Sequence, residues 1–111
     1  MTIDVIGDRR QAYLVGHLVS YALGVKGIEI MARGRGSRLA SKGRQLSMYL
    51  AHVGLGWSIG RVADAFRRDR STVAHACQLI EHERDDEAFD HWMCEMEESL
   101  QKVAPLARIA A

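Results

Sequence analysis

The chain has one proline and two cysteines in 111 residues, and no apolar run approaches the ~18 residues needed to cross a bilayer. Scarce proline and few runs of β-branched residues favour helix over strand, with ten glycines left to mark the breaks. The opening MTIDVIGDRR lacks the basic-then-apolar order of an export signal. With only two cysteines, this points to reduced thiols in a cytoplasmic setting. No G-x-x-x-x-G-K-[ST] is present, so the phosphate cradle of a nucleotide-driven motor is not expected. No Ser-His-Asp or paired-carboxylate arrangement stands in a distinctive context, so neither an enzyme nor a cofactor is expected. His75, Cys77, His91 and Cys94 do not have the spacing of a usual zinc finger, and both cysteines read as helical positions, so no metal is expected either.

What is present is the composition of a folded protein, 48% hydrophobic and 26% charged. The length suits one domain over 1–111, with a core of about 9–102 and a tail over 103–111. The net charge of +1 hides an asymmetry. Residues 1–78 carry 12 Lys and Arg against 5 Asp and Glu, whereas residues 79–111 carry 3 against 9. Nine basic residues and two acidic ones lie between Arg33 and Arg70, which points to a surface for a polyanion.

The periodicity gives about five helices and no sheet. Asp8 is positioned to cap a first helix over about 9–23, with Leu14, Leu18, Tyr21 and Ala22 on its apolar face and Val15 and Val19 widening it. Residues 28–32 make a short turn of helix. The Gly-rich, basic stretch over 33–43 reads as a loop. A helix over 44–53 follows, with Leu46, Tyr49, Leu50 and Val53 on one side, and Gly54-Leu55-Gly56 breaks it. The last helix, near 87–102, carries Phe89, Trp92, Met93, Met96 and Leu100, and Pro105 is expected to stop it.

Function is concentrated in residues 58–78. Ile59, Val62, Ala63 and Phe66 form one apolar stripe, and Val73, Ala76, Cys77 and Ile80 form a second after a short charged break. Two short helices joined in this way match a helix-turn-helix. Ser58 is a natural cap for the first, and Asp69 for the second. The opposite face of the second helix carries Ser71, His75, Gln78 and His82, with Ala74 at its edge: small and polar, as a helix entering a major groove must be. Arg70 is placed for a bidentate contact to guanine, Ser71, Thr72 and His75 for bases or phosphates, and Ala74 for a thymine methyl. Arg33, Arg35, Arg38, Lys42, Arg44, Ser58, Arg67 and Arg68 are the candidate backbone or minor-groove contacts.

The segment GRQLSMYLAHVGLGWSIGRVADAFRRDRSTVAHACQLIEHER resembles the C-terminal DNA-binding domain of the DnaA family of bacterial chromosomal replication initiators, with STVAHAC the most specific part. The likeness covers about residues 9–85. It implies an all-α fold of the DnaA domain IV or Trp-repressor-like kind, with base contacts from Asp69, Arg70, Ser71, Thr72 and His75. Lys42 and Arg44 would approach the minor groove or backbone. Arg70 stands where the family has histidine, Arg67-Arg68 replace a Gly-Gly-Arg turn one residue longer, and Gly43 replaces a proline. The family's ATPase motif is absent. A stand-alone domain of this kind also resembles the DNA-binding part of activators of gene-transfer-agent production, the GafA/GafY type. That resemblance implies a transcription activator in the cytoplasm, associated with the nucleoid. RNA polymerase or a sigma-like protein would be its partner, docked on the acidic C-terminal helix. The competing readings are a competitor at replication-initiator boxes and a protein-interaction adaptor without DNA binding.

Overall fold

Helix capping and one close approach between helices set the frame. In the computed structural model, described over residues 5–34 and 36–110 for the backbone and 6–34 and 36–104 for the side chains, all regular structure is helical. Six α-helices follow one another: α1 Val5–Leu23, α2 Gly27–Met31, α3 Arg38–Tyr49, α4 Ile59–Phe66, α5 Arg70–Glu83 and α6 Glu87–Ala110. One π-helical turn, Leu50–Gly54, extends α3.

α1 begins ahead of Asp8, which therefore lies inside the helix instead of capping it. The buried stripe is Asp8, Ala12, Val15 and Val19, at i, i+4, i+7 and i+11, and Tyr21 and Ala22 face outward. The expected face was thus rotated. The carboxylate at Asp8 is held by Arg61 of α4, whose Nε and Nη2 each donate at 2.9 Å. A polar residue on the inner stripe is explained by a partner 53 residues away.

The expected loop over 33–43 is helical from Arg38. Ser37 supplies the cap, its hydroxyl accepting from the Ala40 N–H at 3.0 Å. Gly43 permits the next contact: a Cβ there would fall 2.9 Å from Ile30 Cδ1, so α2 presses directly on α3. Leu46, Met48, Tyr49 and Leu50 then fill the centre, packed against α1 and α5. Val53 was expected on that side but is exposed, because the π turn shifts the register and brings Ala51 and Gly54 inward in its place.

α6 lies across α1 and the π turn, with Met93, Met96 and Leu100 buried. It does not stop at Pro105; the helix runs on to Ala110, since a proline within a helix removes one backbone bond while its neighbours keep theirs. Arg84 ties α5 to α6. Its Nε donates to Asp90 Oδ1 at 2.5 Å, and its Nη1 donates to Glu97 Oε1 at 2.6 Å and to the Tyr49 hydroxyl at 3.1 Å. No helix among the described residues is long and apolar enough to cross a membrane.

Candidate nucleic-acid interface

The α4–α5 pair has the two-helix geometry that the apolar stripes predict. Val62, Ala63 and Phe66 of α4 face Val73, Ala76, Cys77 and Ile80 of α5, all buried. Ser58 caps α4, accepting from the Arg61 N–H at 3.1 Å. The turn is made by Arg67, which sits in the left-handed region at φ 56° and ψ 49°, while the Arg68 N–H bonds back to the Ala63 carbonyl at 2.9 Å. This is a Schellman-type ending with arginine where glycine is usual. Asp69 stands at the N-cap of α5 in extended backbone, but its carboxylate makes no capping bond.

With one face of α5 anchored, the other is free. Asp69, Arg70, Ser71, Thr72 and His75 are exposed, and Ala74 is half-buried. Arg67 is exposed beside them. The guanidinium of Arg70 folds back over α4, where a Cβ on Gly60 would meet its Nη2 at 3.0 Å. The far end of α5 carries Glu81 and Glu83, so only its first two turns offer a surface without carboxylates that repel phosphate.

The basic residues are distributed less uniformly than their clustering in sequence suggests. The start of α3 and the start of α5 flank one cleft of about 770 Å³, lined by Ser37, Arg38, Ser41, Lys42 and Arg44 on one side and Arg68, Thr72 and His75 on the other. Arg33 is exposed outside this lining, and Arg35 lies outside the described residues. Lys42 is half-buried, paired with Glu83 and set over the Phe89 ring at 5.9 Å. Arg68 donates to the Ala32 carbonyl. Arg44, expected at the backbone or minor groove, is mostly buried. It is 6% exposed and donates from Nε to the Ile30 carbonyl at 2.9 Å and from Nη2 to the Glu29 carbonyl at 3.2 Å. It holds the end of α2 and also lines the cleft.

Sequence reasoning also left out Ser37, Ser41 and Gln45 as lining residues. Their i, i+4, i+8 spacing was the available signal, hidden because α3 was expected to start six positions later. Cys77 is buried among apolar neighbours, and its thiol is pushed up to about 11 by that burial. Cys94 is exposed. Among the described residues no three His, Cys, Asp or Glu side chains form a set that could hold a metal.

Residues 13–80 match the family described as bacterial dnaA protein helix-turn-helix. The chain belongs to this DnaA family. It is 40% identical over 58 residues to the chromosomal replication initiator protein DnaA of Pseudothermotoga lettingae, a stretch that is 52% of this chain and 13% of the relative. A crystal structure of a DNA replication initiation factor superposes with a TM-score of 0.74 at 27% identity, over 85% of this chain and 29% of that one. The chain thus spans a minor part of each relative's length. The DnaA-type helix-turn-helix supports DNA as the partner of this domain.

Proposed function

We propose that the protein binds duplex DNA in a sequence-specific way and acts as a transcription regulator, without catalysis of its own. The observation that carries this reading is the exposed start of α5. Arg70, Ser71, Thr72 and His75 project from a helix whose opposite face is locked into the core, so the readout groups stand on a rigid element. Arg70 is the reader of a guanine edge, and Ser71, Thr72 and His75 contact bases or phosphates. Asp69 and Ala74 complete the reading surface, Ala74 against a thymine methyl. Arg33, Arg38, Arg67 and Arg68 position the duplex through phosphates, Lys42 joins them once it leaves Glu83, and Ser58 lies at the edge of the same side. The acidic face of α6 is the side left for RNA polymerase or a sigma-like partner, and the protein works at the nucleoid in the cytoplasm.

A second reading is favoured by the two relatives, both replication initiators by description. In it, the protein occupies replication-initiator boxes and competes for them. Selecting bound duplexes from a random pool tests both readings together. An enriched motif with a salt-sensitive affinity supports DNA reading, and its identity with the initiator's box selects the second. Engagement of about six phosphates implies a loss of roughly a thousandfold between 50 and 200 mM salt. No enrichment at low salt contradicts both.

A further inference from the structure

The outer face of α1 points away from the core, yet it is built from large side chains. Tyr13 is 51% exposed, Ile6 69% and Tyr21 91%. Arg10 and His17 lie exposed between them. At 100° per residue these five side chains fall within about 80° of the circumference, opposite the buried Asp8, Ala12, Val15 and Val19. The stripe continues onto α2. A Cβ on Gly27 would fall 2.6 Å from His17 Nδ1, so the start of α2 lies against that ring, and the next residue, Ile28, is 77% exposed. Tyr13 stacks on His17 with ring centres 6.3 Å apart. The four large side chains leave on the order of 500 Å² uncovered, towards the upper end of what a monomer exposes in one patch.

The charges say what fits it. Asp8 is the one carboxylate in residues 5–28, and it is turned inward onto Arg61. Arg9 and Arg10 form no ion pair among the described residues, and the buried Nε of Arg9 has no hydrogen-bond partner. The stripe is aromatic and positive, and tyrosine and arginine are the residues that dominate protein interfaces. The outer row of α6 has the opposite sign. Glu87, His91, Glu95, Glu98 and Lys102 are exposed on the side away from the buried Met93, Met96 and Leu100. Asp90 and Glu97 are held by Arg84, Glu95 meets His91, and Glu87 and Glu98 have no ion pair among the described residues. α1 and α6 pack against each other. One protomer thus carries a positive aromatic strip and a negative strip on neighbouring helices, and such a surface is complementary to its own copy turned about a two-fold axis.

We propose that two copies of the chain associate about a two-fold axis, with Arg10, Tyr13, His17 and Tyr21 of each α1 on Glu95 and Glu98 of the other copy's α6. Arg10 pairs with the carboxylates, the tyrosine hydroxyls donate to them, and the rings cover the aliphatic stems. Covering both stripes alone removes about 1,000 Å² from water, the lower bound of a specific interface, and the two α6 rows add to it. The pair forms without DNA and doubles the α5 starts that one particle offers. The carboxylates given above to a transcription partner are covered in the pair, so such a partner competes with the second copy. The pairing goes beyond the DNA reading and does not require it.

Sedimentation of the full chain over a concentration series, without DNA, tests this. A mass that rises from one copy towards two, and falls back as salt is added, is expected. Arg10→Glu weakens self-association about tenfold or more, and so does a chain carrying Glu95→Lys and Glu98→Lys, because each sets like charges against one another. Mixed in equal amounts the two variants form a heterodimer, since both of its contacts then join opposite charges. All three positions are exposed, and thermal melts matching the native chain separate lost pairing from lost folding. A single copy at every concentration up to millimolar overturns the proposal. So does a dimer that Arg10→Glu weakens and the α6 variant does not, or a pair of variants that fails to associate. A chain that pairs but selects no duplex counts against the DNA reading alone.

Discussion

The guanidinium of Arg70 rests on Gly60: a Cβ added at Gly60 would lie 3.0 Å from Nη2 and 3.1 Å from Cζ. The absence of a side chain on α4 thus gives Arg70 its resting place. The contact is with the far end of a flexible side chain, which has room to move. Gly60→Ala is accordingly expected to raise stability by roughly 0.5–1 kcal/mol, because alanine loses less entropy than glycine in a helix. It frees Arg70 without lowering DNA affinity. A thermal melt and a duplex titration check both halves.

Arg67 holds the turn in a conformation that costs a non-glycine residue roughly 1–2 kcal/mol. Arg67→Gly is expected to stabilise the fold by up to about 1 kcal/mol once the entropy of glycine is set against the relieved strain. The same change removes the proposed phosphate contact, so log affinity against log salt is expected to become shallower by about 0.9. Stability and binding then move in opposite directions, which a mere folding defect does not produce.

Asp8 and Arg61 tie the start of α1 to the helix-turn-helix, with Arg61 also stacked 4.2 Å from the centre of the Trp57 ring. Arg61 is partly exposed, so the pair is screened and its value is modest. Asp8→Asn is expected to cost about 1–2 kcal/mol in chemical denaturation, measured by the midpoint at constant slope. An unchanged midpoint removes the link.

How much of this was legible in the sequence depends on the range of each interaction. The stripes Ile59, Val62, Ala63, Phe66 and Val73, Ala76, Cys77, Ile80 are local patterns, and each residue but the half-buried Ile59 is buried as the spacing requires. The cap at Ser58 is local too. Asp8 was misread as a cap because its real partner is remote. Ser37 was missed because glycines around it mask a helix start. Arg44 looks like any basic residue in a basic stretch; only the packing of α2 on Gly43 reveals that its head is turned inward.

Tyr49 is held above the ordinary phenol range, pushed up to about 12 by burial and by the hydrogen bond to Glu81, with Arg84 opposing. A raised folded pKa means that the protonated phenol stabilises the fold fully below pH ~10, the unfolded value, and that this contribution is lost as pH rises from 10 to about 12. Thermal midpoints over that window are expected to fall more steeply for the native chain than for Tyr49→Phe. Equal slopes contradict the assignment.

Arg70, at the exposed start of α5, is proposed to read a base. Affinities of the native chain and Arg70→Ala for a selected duplex and its single-base variants test it most directly. The native chain is expected to lose about 1–3 kcal/mol when one particular base pair is changed, and Arg70→Ala to be indifferent at that pair while keeping its other preferences. A variant that retains the full pattern of preference, or a native chain with no preference at all, contradicts it.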